Sequence, residues 1–315
     1  MMNRKLTITI IIILVLAAAA FAGLLYAKNA ENKAAEKAAQ QAQAAEQKAQ
    51  AEREKALEEQ KLAEEKREYE IADHVYSHRG ASGDEIEHTL AAYDKAIENG
   101  SHNIEQDLVI SADGTLCVSH DLTSNRITGS GGYYSEMTDS QIDGLRTSDG
   151  QKILKLSEVF DKYDKSVTYI IELKSTDSRT LEAFEDIVDK YDMADNVVVQ
   201  CCYLEVLKQL EEDYPDMPKL HWSRDQWSFE NALTKDYVDI ASVESSLMTS
   251  ANCDAAHESG KDFNAWPLNS ESAIKAAIEM GADSYFTDYT DLGIACEKKY
   301  RDEDAYQKSR AERKK

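Results

Sequence analysis

From residue 74 onward the chain alternates short β-rich runs with amphipathic helical stretches, and this rhythm limits the fold more than any other feature. The runs are "HVYSHR" (74–79), "NIEQDLVI" (103–110), "VTYIIELK" (167–174), "NVVVQCC" (196–202), "KLHWS" (219–223), "YVDIASV" (237–243), "DFNAWPL" (262–268) and "SYFTD" (284–288). Helical patterns lie between them, among others at 88–99, 179–192, 203–213 and 270–280. Strands separated by helices pair in parallel, because only a crossover returns the chain to the same end of the sheet. Eight such units over about 225 residues predict an α/β fold of the (β/α)8 TIM barrel class, with a doubly wound open sheet as the alternative. One stretch breaks the rhythm. Residues 111–155, after the second strand, hold a short extra strand, "TLCVSH" (115–120), and a Gly/Ser/Thr-rich segment. Insertions at this edge of a barrel often cover the active site.

The first 70 residues have no such rhythm. Leu6–Ala27 contains no charge, and its 22 residues would make a helix of about 33 Å, enough for a hydrocarbon core of about 30 Å. Arg4 and Lys5 precede it, which favours a cytoplasmic N-terminus at 1–5 and a single-pass anchor at 6–27 with the rest of the chain outside the membrane. A cleaved signal peptide is the rival reading, since "AFA" at 20–22 resembles a cleavage site. Residues 28–70 are almost all Ala, Glu, Lys, Gln and Arg, without Gly or Pro, which predicts a helical stalk of about 65 Å. The barrel is then expected over 71–315.

Charge divides the chain the same way. Residues 1–70 carry 11 basic and 11 acidic side chains, so the whole net charge of −23 falls on the rest. So acidic a surface repels nucleic acid, which is excluded as a partner. An anionic substrate needs a local reversal of the field. The five Cys have no metal-ligand spacing, and their odd number argues against a disulfide framework.

Barrel chemistry sits at the C-terminal ends of strands. There the sequence places His78 and Arg79 on the first strand, Glu105 and Asp107 on the second, His120 and Asp121 on the extra strand, and Glu172 and Lys174 on the third. Residues two apart share a strand face, so three carboxylates are expected to meet in one cavity. Their mutual repulsion is relieved most simply by a hard divalent cation on oxygen ligands, Ca²⁺ or Mg²⁺. Two His and an Arg beside such a cation suit phosphoryl chemistry.

Here the chain resembles the glycerophosphodiester phosphodiesterases over roughly 74–295. The resemblance is carried by "HRG" (78–80), "EHTLAAYDKAI" (87–97), "IEQDLVISADGTLCVSHD" (104–121), "RITG" (126–129), "LSEVF" (156–160), "IELK" (171–174), "AWPLN" and "GADSYFTD", in that order. It implies a (β/α)8 barrel with a small insertion after strand two. It also implies metal-dependent cleavage of a glycerophosphodiester, whether a free small molecule or a wall- or lipid-derived glycerophosphate, to glycerol 3-phosphate and an alcohol. By the same resemblance His78 and His120 are the acid/base pair, Glu105, Asp107 and Glu172 the metal ligands, and Arg79 and Lys174 phosphate contacts. Glu87 is either a helix-start charge or a substrate contact, and Trp266 either core or a surface for the glycerol moiety. The chain departs from the family pattern at His88, where an amide is usual, at Cys201-Cys202, and at Pro267 after Trp266.

His88 is expected at the surface, and His74, His102, His221 and His257, without an acidic partner at useful spacing, as structural or surface residues. Residues 297–315 read as an exposed final helix fraying into a charged end. Two further function classes stay open: a two-histidine phosphodiesterase of phospholipase D-like or phosphoinositide-cleaving type acting on lipids, and a membrane-tethered scaffold without activity.

Overall fold

A computed structural model describes residues 4–313, so part of the expected cytoplasmic segment 1–5 and the last two residues of the tail lie outside the described residues. The chain divides into two compact units, one running to Lys66 and the other from Arg67 on. The first is helix α1 (Arg4–Ala72) for almost its whole length. It is one helix long and apolar enough to cross a membrane by length and composition, with a mean hydropathy of 2.3 in its most apolar window. The anchor and stalk sequences fall on this single helix because neither contains Pro and Gly23 is their one glycine.

The second unit is a closed barrel. Strands β1 (Val75–Ser77), β2 (Asn103–Ile110), β4 (Thr168–Leu173), β5 (Val197–Cys201), β6 (Lys219–Ser223), β7 (Ile240–Glu244), β8 (Asp262–Trp266) and β9 (Ser284–Thr287) pair in parallel, and β1 closes the ring by pairing with both β2 and β9. The open-sheet alternative is thereby excluded. The outer helices are α2 (Leu90–Glu98), α5 (Leu156–Tyr163), α6 (Ser178–Tyr191), α7 (Leu204–Asp213), α8 (Gln226–Leu233), α9 (Ser250–Glu258), α10 (Glu271–Met280) and α11 (Thr290–Tyr300). Outward-facing strand residues such as Ile104, Leu108, Tyr169, Ile171 and Val199 pack under these helices. Inward-facing Tyr76, Ile170, Val198, Leu220, Ile240 and Phe286 fill the barrel axis. This is the alternation a β-strand imposes, with one face given to each core.

The insertion is built on β3 (Leu116–Val118), which runs antiparallel to β2 with Val109 opposite Cys117. Two short helices, α3 (Asn125–Thr128) and α4 (Asp139–Ile142), follow it. Val109, Cys117, Tyr134, Ile142, Leu145 and Ile153 give it a small core of its own. The backbone N–H of Ser119 donates to the Asp107 carbonyl (2.9 Å), which draws the end of β3 over the barrel mouth.

The end of the chain corrects the sequence reading. Residues 303–313 do not fray; they form α12 (Glu303–Arg313), with Glu303 and Tyr306 buried. Tyr306 donates its hydroxyl proton to Asp283 (2.8 Å), Arg313 pairs with Asp283 (2.8 Å), and Arg310 pairs with Asp262. With His74 and Asn103, the residues Tyr306, Arg310, Asp262 and Asp283 line a cavity at the N-terminal mouth of the barrel. The composition of 303–313 is polar because its partners are buried charges, not because it faces only water.

Candidate active site

The turn after β1 explains the sequence His78-Arg79-Gly80. His78 donates its backbone N–H to Thr287 at the end of β9 (3.0 Å), and the chain then turns sharply through two left-handed residues, Arg79 (φ 60°) and Gly80 (φ 81°). A Cβ on Gly80 would lie 2.7 Å from the carbonyl carbon of Ala92 in α2, so no other residue fits. The turn aims the Arg79 N–H at Glu105 Oε2 (2.7 Å).

The His78 imidazole is held from behind. Its Nδ1 lies 2.6 Å from Asp288 Oδ1, and Asp288 is itself bound by Ser82 Oγ (3.2 Å) and Asn269 Nδ2 (2.5 Å). A carboxylate only accepts, so Nδ1 carries the proton and Nε2 is left for chemistry. Burial pushes the Asp288 carboxyl up, but the hydrogen bonds from His78, Asn269 and Ser82 outweigh it and hold the group below its usual range. His120 is arranged alike: Nδ1 lies 2.8 Å from Asp121 Oδ1, whose other oxygen accepts from Arg126 Nε (2.6 Å). Burial, with Lys174 nearby, pushes the His120 pKa down.

The carboxylates follow from strand register. Asp107 and Glu172 are paired positions on β2 and β4, and Glu105 stands two residues before Asp107 on the same face. All three are buried. Glu105 accepts from Gln200 Nε2 (3.1 Å). Lys174 Nζ sits 2.9 Å from both Asp107 Oδ1 and Glu172 Oε1. Burial and the neighbouring Asp107 charge push Glu105 well up and Glu172 up to about 8. Asp107 goes the other way: Lys174 and the hydrogen bond from His88 outweigh burial and hold it well down. Two carboxyls raised beside an ionised third mark a site with more negative charge than its own cations neutralise. That all-oxygen donor set fits a divalent cation. Ligand atoms of His88, Glu105 and Asp107 also lie within 4.8 Å of one another, so the described residues offer an overlapping set with one nitrogen.

His88 corrects the expectation of a surface residue. It is buried, in a left-handed conformation (φ 57°), with Nε2 2.8 Å from Asp107 Oδ2 and Nδ1 3.0 Å from the Tyr93 hydroxyl. Burial pushes its pKa down. Its position just before the Thr89 cap of α2 resembles an exposed helix start, but the turn folds the ring inward. His74, His102 and His257 are structural, as expected, though each has an acidic partner the sequence did not reveal: Glu303 (3.1 Å), Asp73 (2.6 Å) and Asp283 (2.7 Å).

His78, Arg79, Glu105, Asp107, His120, Glu172, Lys174 and Trp266 line one open cleft enclosing about 430 Å³ at the C-terminal ends of the strands. Glu87 stands apart from that lining. It pairs with Arg79 (3.3 Å) and, through both oxygens, with Arg126 (2.6 and 3.0 Å), so it braces the cations. Sequence reasoning passed over Asp288, Arg126, Gln200, Trp222 and Arg224. Asp288 and Gln200 end strand motifs and were visible as such; Arg126 lies in the insertion, and its two partners are distant in sequence.

Arg79 and Lys174 set two cations among the carboxylates of this cleft. Two imidazoles, two cations and three carboxylates in one cleft at the strand ends make this the candidate catalytic centre of the barrel. The model of the glycerophosphoryl diester phosphodiesterase family matches residues 78–292. A glycerophosphodiester phosphodiesterase of Bacillus subtilis (strain 168) is 26% identical over 252 residues, covering 71% of this chain and 86% of the relative. Among solved structures, a glycerophosphodiester phosphodiesterase from Thermotoga maritima has a TM-score of 0.60 at 24% identity, covering 70% of this chain and 96% of that one. An Oleispira antarctica phosphodiesterase, solved with the product sn-glycerol-3-phosphate, has a TM-score of 0.65 at 20% identity, covering 71% and 96%. The chain belongs to the glycerophosphoryl diester phosphodiesterase family and is a glycerophosphodiester phosphodiesterase.

Proposed function

We propose that the chain hydrolyses glycerophosphodiesters to glycerol 3-phosphate and an alcohol by histidine acid/base catalysis on a cation-bound phosphate. The observation that carries this reading is the pair of imidazoles, each engaged by a carboxylate at Nδ1, lining one cleft with Arg79 and Lys174. Arg79 and Lys174 bind the non-bridging phosphate oxygens. His78 Nε2 takes the proton of the attacking oxygen as the new P–O bond forms. His120 gives its proton to the leaving oxygen as the old bond breaks. The assignment follows the surroundings: the carboxylate behind His78 has only neutral donors besides it, Ser82 and Asn269, whereas Asp121 is shared with the Arg126 cation, which leaves the His120 imidazolium the readier proton donor. Glu105, Asp107 and Glu172 would hold Ca²⁺ or Mg²⁺, which when bound neutralises charge on the phosphate oxygens. Arg79 and Trp266 would position the substrate, with Glu87 bracing Arg79. The helix at 6–27 would tether the enzyme to the cell membrane, with the barrel outside the cytoplasm.

The test is a product assay under metal control. Chelation should abolish release of free glycerol 3-phosphate from glycerophosphocholine, and Ca²⁺ or Mg²⁺ should restore it. Full activity in excess chelator would remove the cation from the reading. A cyclic phosphate or a lipid phosphate as the product would replace the substrate class.

A further inference from the structure

Opposite the catalytic groups, the cleft is lined by Trp222 and Arg224 at the end of β6 and Trp266 at the end of β8. The two indoles meet edge to face, with centroids 5.6 Å apart. The exposed Arg224 guanidinium lies over both rings, 5.1 Å from the Trp222 centroid and 5.4 Å from that of Trp266. Among the described residues it pairs with no carboxylate. The nearest candidate by register, Glu244 on β7, instead accepts from Ser246 Oγ (3.0 Å). In a chain with a net charge of −23, a cation at the mouth of the active site with no acid attached has another use. Both indole N–H groups are buried and have no acceptor within the protein, and such donors are ordinarily satisfied.

From this we infer that Trp222, Arg224 and Trp266 form a subsite for a second anionic group, a phosphate or carboxylate, carried on one alcohol arm of the diester. The inference rests on the phosphodiester reading above. The alternative use of two tryptophans is a cage for a quaternary ammonium such as choline. Here the aromatic faces already hold a guanidinium, so a cationic arm would meet like charge. An anion meets a planar fork of donors held over two indole rings. Arg224 is then a specificity-determining residue, separate from the groups that make and break bonds.

The experiment compares wild type with Arg224→Gln and Arg224→Lys at fixed ionic strength on four diesters. Glycerophosphoglycerol bearing a terminal phosphate and glycerophosphoglycerate have anionic arms, glycerophosphoglycerol a neutral one, and glycerophosphocholine a cationic one. Arg224→Gln should cut kcat/KM for the anionic-arm diesters by about 10- to 100-fold, the range for a charge-assisted hydrogen bond. It should leave the neutral diester unchanged and improve glycerophosphocholine. Arg224→Lys, which keeps charge but not the fork, should fall between. Whichever anionic-arm substrate loses more identifies phosphate or carboxylate as the preferred group. An equal loss on all four, or no loss on any, overturns the subsite while leaving the hydrolase reading intact. If wild type turns over none of the four, that reading fails on its own, and calorimetric titration of the same compounds decides the subsite: tighter binding of anionic arms that Arg224→Gln removes supports it, and equal affinities overturn it.

Discussion

His78 and Asp288 are 210 positions apart in sequence yet 2.6 Å apart in space. Replacing Asp288 with Asn leaves shape and polarity but removes one acceptor, so the amide must compete with the His78, Ser82 and Asn269 donors. The expected outcome is a kcat lowered about 100-fold with KM and Tm close to wild type, within the range for general acid–base help; unchanged kcat would make the pair structural. His88 is a second case. Asn tolerates left-handed φ and keeps a polar group where Nδ1 meets the Tyr93 hydroxyl, so His88→Asn should retain most of the Tm, whereas His88→Leu removes both hydrogen bonds of the ring and should cost about 2 kcal/mol or more in urea unfolding. Most of the cleft was legible because strand alternation and strand ends place Glu105, Asp107, Glu172 and Lys174 without knowledge of their partners. Asp288 and His88 were not used, because the value of each lies in a contact that only barrel closure or the tight turn creates.

At the scale of elements, strand positions were readable to within a few residues; β2 and β6 match their sequence runs, since each is bounded by turn residues or a register partner. The docking of α12 was not readable, because its anchors are Asp262 and Asp283 on the far side of the fold. Helix α2 depends on one glycine: Gly80→Ala brings a methyl into the Ala92 backbone and should cost about 2 kcal/mol or more, measured by urea midpoint. Strand β6 carries a pH-dependent cost. Burial lowers the His221 pKa to about 4. Protonation therefore favours the unfolded chain. Stability is complete above about pH 6.5, declines as pH falls from there towards 4, and levels off below, at up to about 1.4 kcal/mol per unit. Unfolding midpoints between pH 7 and 5 should show this slope in wild type and a shallower one in His221→Leu. Equal slopes would place the titration elsewhere.

At the scale of the whole molecule, the hydrophobic clusters among the described residues draw on residues from Ala72 onward. Removing residues 1–27 should accordingly leave Tm and kcat on a soluble diester unchanged while abolishing sedimentation with phospholipid vesicles. A loss of kcat in solution would show that the segment supports the barrel, and retained sedimentation would put the membrane affinity elsewhere. The composition of residues 28–66 suits the first unit, because a Gly-poor, Ala-rich charged stretch cannot build a core with large side chains.

The closure of β1 against β9 carries one more consequence. The first and last strands of the ring share the His78 imidazole and the Asp288 carboxylate behind it. A chain emerging vectorially, N-terminus first, holds His78, the three carboxylates and His120 long before residue 288 leaves the ribosome or the translocation channel. Nascent chains halted before β9 should be inert towards diesters, and activity should appear as a step when that strand is released, so hydrolysis reports closure of the barrel.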